Sequence, residues 1–416
     1  MTKPAGSFFR WELVLLLWLA FFLNQGDRQI FGVTLPLIQA EFHLSDTQMG
    51  LIATTFSIVF GLLVPIAGWV GDFIRRDWVV VASLLIFSLG TLLTGTATAF
   101  LSLLVYRGIA TGFGEALYAP AANTLIGSLH DRTRGRALAL HQSANYTGVV
   151  FGSFLAGWIA DHYGWRHSFL FFGALGLVWA VVIFVRTRGK VTSVRDGKNG
   201  RDGKAGRDLM LLPEAFALLV RTPALLAQVV GFSGLVFVLV GYLTWMPSVM
   251  AERFSLSRAD AGFQAVAWHH ILAYGGLIIA GIIGDRLSAR WPGTRVVMMG
   301  LSLLACAPFL WMSAEAATLP AVYVALGGFG FFRGLYDANL FAAIFDRVED
   351  RLRASVTGLI VAVAYVVGAF APLIMGMLRH NYGLEMGLKV LAGAAALAGV
   401  TFLLILMGGK SGKVIA

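Results

Sequence analysis

FFLNQGDRQIFGV, residues 21–33, sets an acid beside a base, Asp27 and Arg28, inside an otherwise apolar run. The run opens as VLLLWLAFF (residues 14–22) and continues past Gly26 to Leu37. That is long enough to cross a bilayer as a helix, which takes about 20 mostly apolar residues. An ionised side chain at bilayer depth costs about 3 kcal/mol on insertion scales and persists where it faces a partner or a water-filled cavity. A membrane helix with charges kept for a purpose is therefore the reading of this stretch, and it sets the class of the whole chain.

Composition agrees. The chain has 416 residues, 58% hydrophobic and 13% charged, with mean hydropathy +0.77. Soluble domains run at about 45–50% apolar and about 25% charged. The 49 glycines suit helices that pack closely in lipid. A single cysteine, Cys306, excludes a disulfide within the chain. Lys3 and Arg10 ahead of the apolar run resemble the start of a signal peptide, but no small-residue cleavage site follows, so a retained span is expected.

On the same length scale the chain reads as six runs, a polar stretch and six more. The expected spans are 12–37, 48–70, 78–97, 100–127, 137–160 and 168–186, then 224–249, 261–283, 295–313, 319–345, 355–378 and 386–408. With the N-terminus inside, 24 of the 32 Lys and Arg fall on the cytoplasmic side and 5 outside. Arg28, Arg107 and Arg333 stay within the membrane. The bias puts both termini in the cytoplasm and accounts for the net charge of +10 without a nucleic-acid partner.

Residues 191–208, VTSVRDGKNGRDGKAGRD, are too polar to build a core and read as a flexible linker. LMLLPEAFALLV (209–220) after it reads as an amphipathic helix on the membrane surface. The expected division is 1–190, a linker 191–222, and 223–416. The two halves repeat. IAGWVGDFIRR (66–76) matches IAGIIGDRLSAR (279–290), and GEALYAPAANTLIGSLHDRTRGRA (114–137) is echoed by FRGLYDANLFAAIFDRVEDRLRA (332–354). Repeated helix groups are typical of secondary transporters, with the site near the bilayer midplane.

On these features the chain resembles the major facilitator superfamily: the six-plus-six layout, the long central loop, and Gly68-Trp-Val-Gly71-Asp72-Phe-Ile-Arg75-Arg76. The family pattern there is Gly-x-x-x-Asp-Arg-x-Gly-Arg-Lys/Arg; here Phe73 replaces the first Arg and Arg75 the second Gly. The resemblance implies an all-α fold of twelve transmembrane helices in two pseudo-symmetric six-helix bundles. It also gives Gly68, Asp72, Arg76, Asp285 and Arg286 a gating role, as contacts that hold one conformation and break on turnover. Asp27-Arg28, with Arg107 and Glu115, resembles the anion:cation symporter and Spinster-like branches. The first carries sugar acids and other organic anions with protons or sodium; the second is linked to lysolipids and sphingolipids. In both, the Arg and Glu of the fourth helix stand seven apart; here they stand eight apart. At about 100° per residue, seven leaves them about 20° apart on a regular helix and eight about 80°.

The buried ionisable set is Asp27, Arg28, Arg107, Glu115, Arg333 and Asp337, three acids and three bases. Asp27 and Glu115 both fall in the middle of the core, about 22 Å along their helices. Burial favours a neutral carboxyl and a neighbouring guanidinium favours a charged one. A carboxyl whose Arg is borrowed by an anionic solute can then gain or lose a proton, which assigns proton coupling to Asp27, Glu115 and Asp337. Arg28 is the candidate ligand for the solute carboxylate, since its fork suits bidentate contact. Arg333 and Asp337, four apart, can also pair along one face. Tyr118, Asn123, Gln142, Tyr146, Tyr242, Arg333, Tyr336 and Tyr365 complete the expected solute contacts. His269 and His270 are candidate proton carriers, although neighbours on a helix do not share a face.

No Gly-x-x-x-x-Gly-Lys-Ser/Thr run, HExxH pattern or Cys/His cluster occurs. No cofactor or metal is expected, and neither an ATP-driven pump nor a membrane enzyme fits. The expected function is proton-coupled symport of a small organic anion, a sugar acid or carboxylate, with sodium as the other candidate ion. The rivals are a Spinster-like exporter or exchanger of lysolipid and a non-transporting receptor. A monomer in a bacterial inner membrane is expected.

Overall fold

The computed structural model describes residues 7–130, 133–188, 212–288, 290–291, 293–349 and 351–408, and for residues 7, 68–73, 285 and 354 the backbone alone. The expected linker 191–208 lies outside the described residues.

The chain is all-α. The N-terminal half contains α1 (Ser7–Phe42), α2 (Asp46–Phe73) and α3 (Arg76–Gly95). A composite fourth span follows, made of α4 (Phe100–Leu103), a π-helical segment (Leu104–Thr111) and α5 (Gly112–Leu129). Then come α6 (Arg134–Tyr163) and α7 (Trp165–Thr187). After α8 (Leu212–Arg221), the C-terminal half runs α9 (Pro223–Phe254), α10 (Arg258–Ser288), α11 (Thr294–Glu315), α12 (Leu319–Phe345), α13 (Arg353–Gly368) and α14 (Phe370–Gly408). Eight of the described helices are long and apolar enough to cross a membrane by length and hydropathy alone.

The expected spans fall on these helices with small shifts. The run 78–97 overshoots α3 by two residues, and 355–378 is shared between α13 and the start of α14. Inside α14 the backbone reverses at Gly383, at φ 78°. The matching turn in the first half, between α6 and α7, is Gly164 at φ 87°. Both backbones sit where an L side chain is strained, so the repeat extends to the turns that close each half.

Two compact units emerge, and neither is a plain half of the sequence. Unit 1 is Met1–Leu44, Thr55–Arg207 and Leu256–Phe263; unit 2 is Ser45–Thr54, Asp208–Ser255 and Gln264–Ala416. The first turns of α10 join unit 1 because Arg258 pairs with Asp161 at 3.1 Å and the Ala259 amide donates to the same carboxylate at 3.1 Å. The first turns of α2 join unit 2 because Asp46 pairs with Arg379 at 3.2 Å and the Thr54 hydroxyl donates to the Ala369 carbonyl at 2.6 Å. The two anchors are related by the repeat with their charges exchanged.

Each unit has its own core. In unit 1, Leu13, Leu17, Val80, Leu84, Phe87, Tyr118 and Ile126 pack together; in unit 2, Leu225, Met299, Leu303, Tyr336, Ile344, Ile360 and Phe402 do. Small residues bring the helices this close. A Cβ on Gly114 would lie 2.4 Å from the Phe87 amide nitrogen, and one on Gly152 would lie 2.3 Å from the Gly26 Cα. These contacts clamp α5 on α3 and α6 on α1 beside the buried charges, as small residues do in membrane helix pairs. The amphipathic stretch forms α8. Ala215 and Leu219 are buried, Phe216 and Val220 are exposed, and Glu214 pairs with Arg351.

Candidate functional site

Four charged residues converge inside unit 1. Asp27 and Arg28 come from α1, Arg107 from the π segment and Glu115 from α5. Arg107 Nη1 lies 3.2 Å from Asp27 Oδ2, and its Nη2 donates to the Arg28 backbone carbonyl at 3.2 Å. The other Asp27 oxygen accepts from the Thr91 hydroxyl of α3 at 2.9 Å. Arg28 Nε donates to Glu115 Oε2. The four charges cancel, which makes their burial tolerable.

The eight-residue spacing of Arg107 and Glu115 predicts two side chains about 80° apart on a regular helix. The structure corrects this. Leu104–Thr111 is π-helical, and a π turn closes i→i+5 bonds, taking in one residue more than an α turn. Eight residues across it then cover what seven cover on a regular helix. Arg107 and Glu115 return to one face and meet the adjacent Asp27 and Arg28.

The two pairs differ in what they leave unsatisfied. Both Asp27 oxygens have donors, and Asp27 is 1% exposed. The Glu115 side chain is fully buried, and its Oε1 has no hydrogen-bond partner among the described residues. The Arg28 side chain keeps 19% exposure. Its guanidinium carbon sits 4.2 Å from the centre of the Phe60 ring and 5.6 Å from that of Phe56, while Arg107 sits 5.0 Å from Phe56. Of the neighbours Asp27 and Arg28, the base is the one that reaches open space.

A second charged group lies inside unit 2. Arg333 and Asp337 of α12 pair at 3.1 Å along one face, with side chains 13% and 25% exposed. Arg333 Nη1 also donates to His269 Nε2 of α10 at 3.2 Å.

The remaining candidates are spread out. Tyr118 and Tyr242 are fully buried and donate their hydroxyls to backbone carbonyls, Leu17 on α1 and Ala265 on α10. Tyr336 is fully buried, with a hydroxyl unpartnered among the described residues, as is the half-buried Asn123 Oδ1. Tyr146 and Tyr365 are half-buried and Gln142 is exposed. Of the gating candidates, the side chains of Asp72 and Asp285, and the surroundings of Gly68, lie outside what is described; Arg76 is half-buried and Arg286 exposed. Arg75, where the resemblance expects a glycine, forms a two-point pair with Asp77 at 2.8 and 3.2 Å. That bond lifts the Arg75 guanidinium above its ordinary value.

Thr91, Phe56 and Phe60 were not expected from the sequence. Phe56 and Phe60 are four apart on α2, a spacing that places two rings on one face; Thr91 carries no comparable signal. A groove of about 340 Å³ between α3 and α7, lined by Trp78, Val81, Ala82, Leu85, Ala180, Val181 and Phe184, holds none of the charged candidates.

A family model described as Major Facilitator Superfamily matches residues 17–372, with a second match over 248–414. A hexuronate transporter of Bacillus subtilis is 26% identical over 413 residues, covering 96% of both chains. A D-galactonate transporter of Escherichia coli O6:H1 is 22% identical over 431 residues, covering 97% of this chain and 96% of the other. Among solved structures, a bacterial homologue of the human lysosomal transporter Spinster superposes with a TM-score of 0.80 at 21% identity, covering 97% of this chain and 98% of that one.

Proposed function

Since the chain belongs to the Major Facilitator Superfamily and is a multi-pass membrane transporter, we propose that it moves a sugar acid or similar small carboxylate together with a proton, by alternating access. The hexuronate and galactonate carriers among its relatives support the solute class. Glu115 supports the coupling, with one oxygen on Arg28 and the other buried without a hydrogen-bond partner among the described residues.

The cycle follows from charge balance. Without solute, Arg28 and Glu115 neutralise each other. A solute carboxylate draws the partly exposed Arg28 away, since a guanidinium fork takes a carboxylate in two parallel bonds. Glu115, fully buried, is then left as an unpaired anion, a state costing several kcal/mol. Taking up a proton removes that cost. Empty, the group holds Arg⁺ and Glu⁻; loaded, it holds Arg⁺, carboxylate and neutral Glu. Both sum to zero, so no net charge crosses the low-dielectric core in either direction. Asp27 keeps Arg107 and Thr91 in place throughout, which holds the backbone of Arg28 through the Arg107 bond to its carbonyl. The 24-to-5 distribution of Lys and Arg supports an inner-membrane orientation with both termini in the cytoplasm.

The test is uptake of hexuronate, galactonate and lysolipid by proteoliposomes under imposed pH or sodium gradients. Acid-driven sugar-acid uptake is expected. In Glu115→Gln it should vanish while solute exchange continues. Unchanged pH dependence in Glu115→Gln would sink the coupling scheme. Lysolipid movement indifferent to Arg28→Ala would sink the solute class.

A further inference from the structure

Arg333 is fixed from two sides by groups of different charge. Asp337 Oδ2 lies 3.1 Å from its Nε, one turn along the same helix. His269 Nε2 lies 3.2 Å from its Nη1, across from α10. A guanidinium is always a donor, so the imidazole accepts at Nε2 and carries its proton on Nδ1. That nitrogen is buried without a hydrogen-bond partner among the described residues. The tautomer that serves Arg333 therefore leaves His269 with an unsatisfied donor, a cost that makes sense only if holding Arg333 matters more.

The ring is held rigidly. It stacks on Phe329 at 4.6 Å and 9°, with Tyr242 at 5.2 Å and His270 at 4.7 Å on its other sides. Gly330 lets α12 approach closely, since a Cβ there would lie 2.0 Å from the His269 carbonyl oxygen. His269 itself is 0% exposed, so it cannot touch a solute, whereas Arg333 keeps 13% side-chain exposure. Asp337 Oδ2 comes within 3.1 Å of Nε without a hydrogen bond among the described residues, and so by itself leaves the guanidinium free to turn; the contact at Nη1 removes that freedom. Nη2 has no acceptor among the described residues.

We propose that His269 is a positioning residue for a solute-anion contact in the C-terminal half, a neutral imidazole that clamps Arg333 Nη1 so that Nη2 is presented to the solute. The inference rests on Arg333 being a solute contact, and the experiment separates the two claims. Hexuronate uptake is measured in proteoliposomes for the wild type, His269→Phe, His269→Gln and Arg333→Gln. Phe keeps an aromatic ring on Phe329 and removes the acceptor; Gln offers an amide oxygen in its place. His269→Phe should raise KM about tenfold, the order of one lost hydrogen bond to a charged group, with kcat little changed. His269→Gln should recover most of that loss. A wild-type KM in His269→Phe, with Arg333→Gln impaired, overturns the positioning role and leaves Arg333 as a contact. A Gln variant as poor as Phe also overturns it, because ring shape would then be what counts. A wild-type KM in Arg333→Gln removes the foundation and the inference with it. Calorimetric hexuronate affinities of the same variants in detergent give the same comparison where transport is too slow to read.

Discussion

The two charged groups occupy related positions in the repeat and are wired in opposite ways. At one position the N-terminal half has an acid, Glu115, whose base comes from another helix. At the matching position the C-terminal half has a base, Arg333, whose acid stands one turn away on its own helix. A pair between helices can be opened by a solute or by a shift of one helix against another. A pair within one helix moves with that helix and survives such a shift. In the proposed cycle the N-terminal group is the one that responds, and the C-terminal group presents a fixed charge. The acids differ in burial in the same sense: the Asp27 and Glu115 side chains are 2% and 0% exposed and that of Asp337 25%.

The largest test of that contrast is removal of one base from each group. Arg107→Met leaves Asp27 buried with only Thr91 as a donor, and breaking a buried pair in this way costs about 3–5 kcal/mol. Arg333→Met leaves Asp337, whose side chain is 25% exposed, without its base, and the loss should be smaller than for Arg107→Met. Thermal unfolding in detergent should show a marked drop for the first variant and a smaller one for the second. Equal drops would mean that the C-terminal group is as closed as the N-terminal one.

This contrast was only half legible in the sequence. The spans were readable because hydropathy is summed over about 20 residues, and the six buried charges because each is costly where it stands. Of their pairing only Arg333 with Asp337 was, from its four-residue spacing; the wiring of the other four was not. The π segment at Leu104–Thr111 leaves no mark in composition, since it changes the bonding of the backbone rather than the choice of residues. Assuming a uniform helix therefore turned Arg107 away from Glu115. Tyr118 and Tyr242 look the same in sequence whether they line a path or bond a neighbouring helix, and their hydroxyls are committed to backbone carbonyls. His269 and His270 were weighed by whether neighbours share a face; the partner that matters, Arg333, comes from a different helix.

The π segment gives the next test. Ile109 lies within it and is 45% exposed. Deleting Ile109 shortens the Arg107–Glu115 spacing to seven, and a regular helix then places the two on one face without the extra residue. Sugar-acid uptake should persist, reduced by about tenfold or less, a cost near 1.4 kcal/mol. Deleting Leu85, an exposed residue of the regular helix α3, rotates everything after it by about 100°. Thr91 then turns away from Asp27, and uptake should be lost. If both deletions abolish uptake, the register argument fails and the π segment matters for some property other than spacing.

The smallest effect concerns the rings on α2. Phe60 lies against Arg28 at 4.2 Å, whereas Phe56 lies near both Arg28, at 5.6 Å, and Arg107, at 5.0 Å. A cation over an aromatic face gains about 0.5–1 kcal/mol at a partly exposed site. Phe60→Leu keeps apolar bulk and removes the π face, so Arg28 loses an attraction that holds it when Glu115 lets go. KM for hexuronate should rise by a factor of about two to five, with stability and pH dependence unchanged, because the Arg107–Asp27 pair and the Glu115 carboxyl are untouched. Phe56→Leu should add a small loss of stability, since its ring also covers Arg107. A KM change in Phe56→Leu but none in Phe60→Leu would place the solute's approach on the Arg107 side of the group. The division between a responding base, Arg28, and an anchoring one, Arg107, would then be reversed.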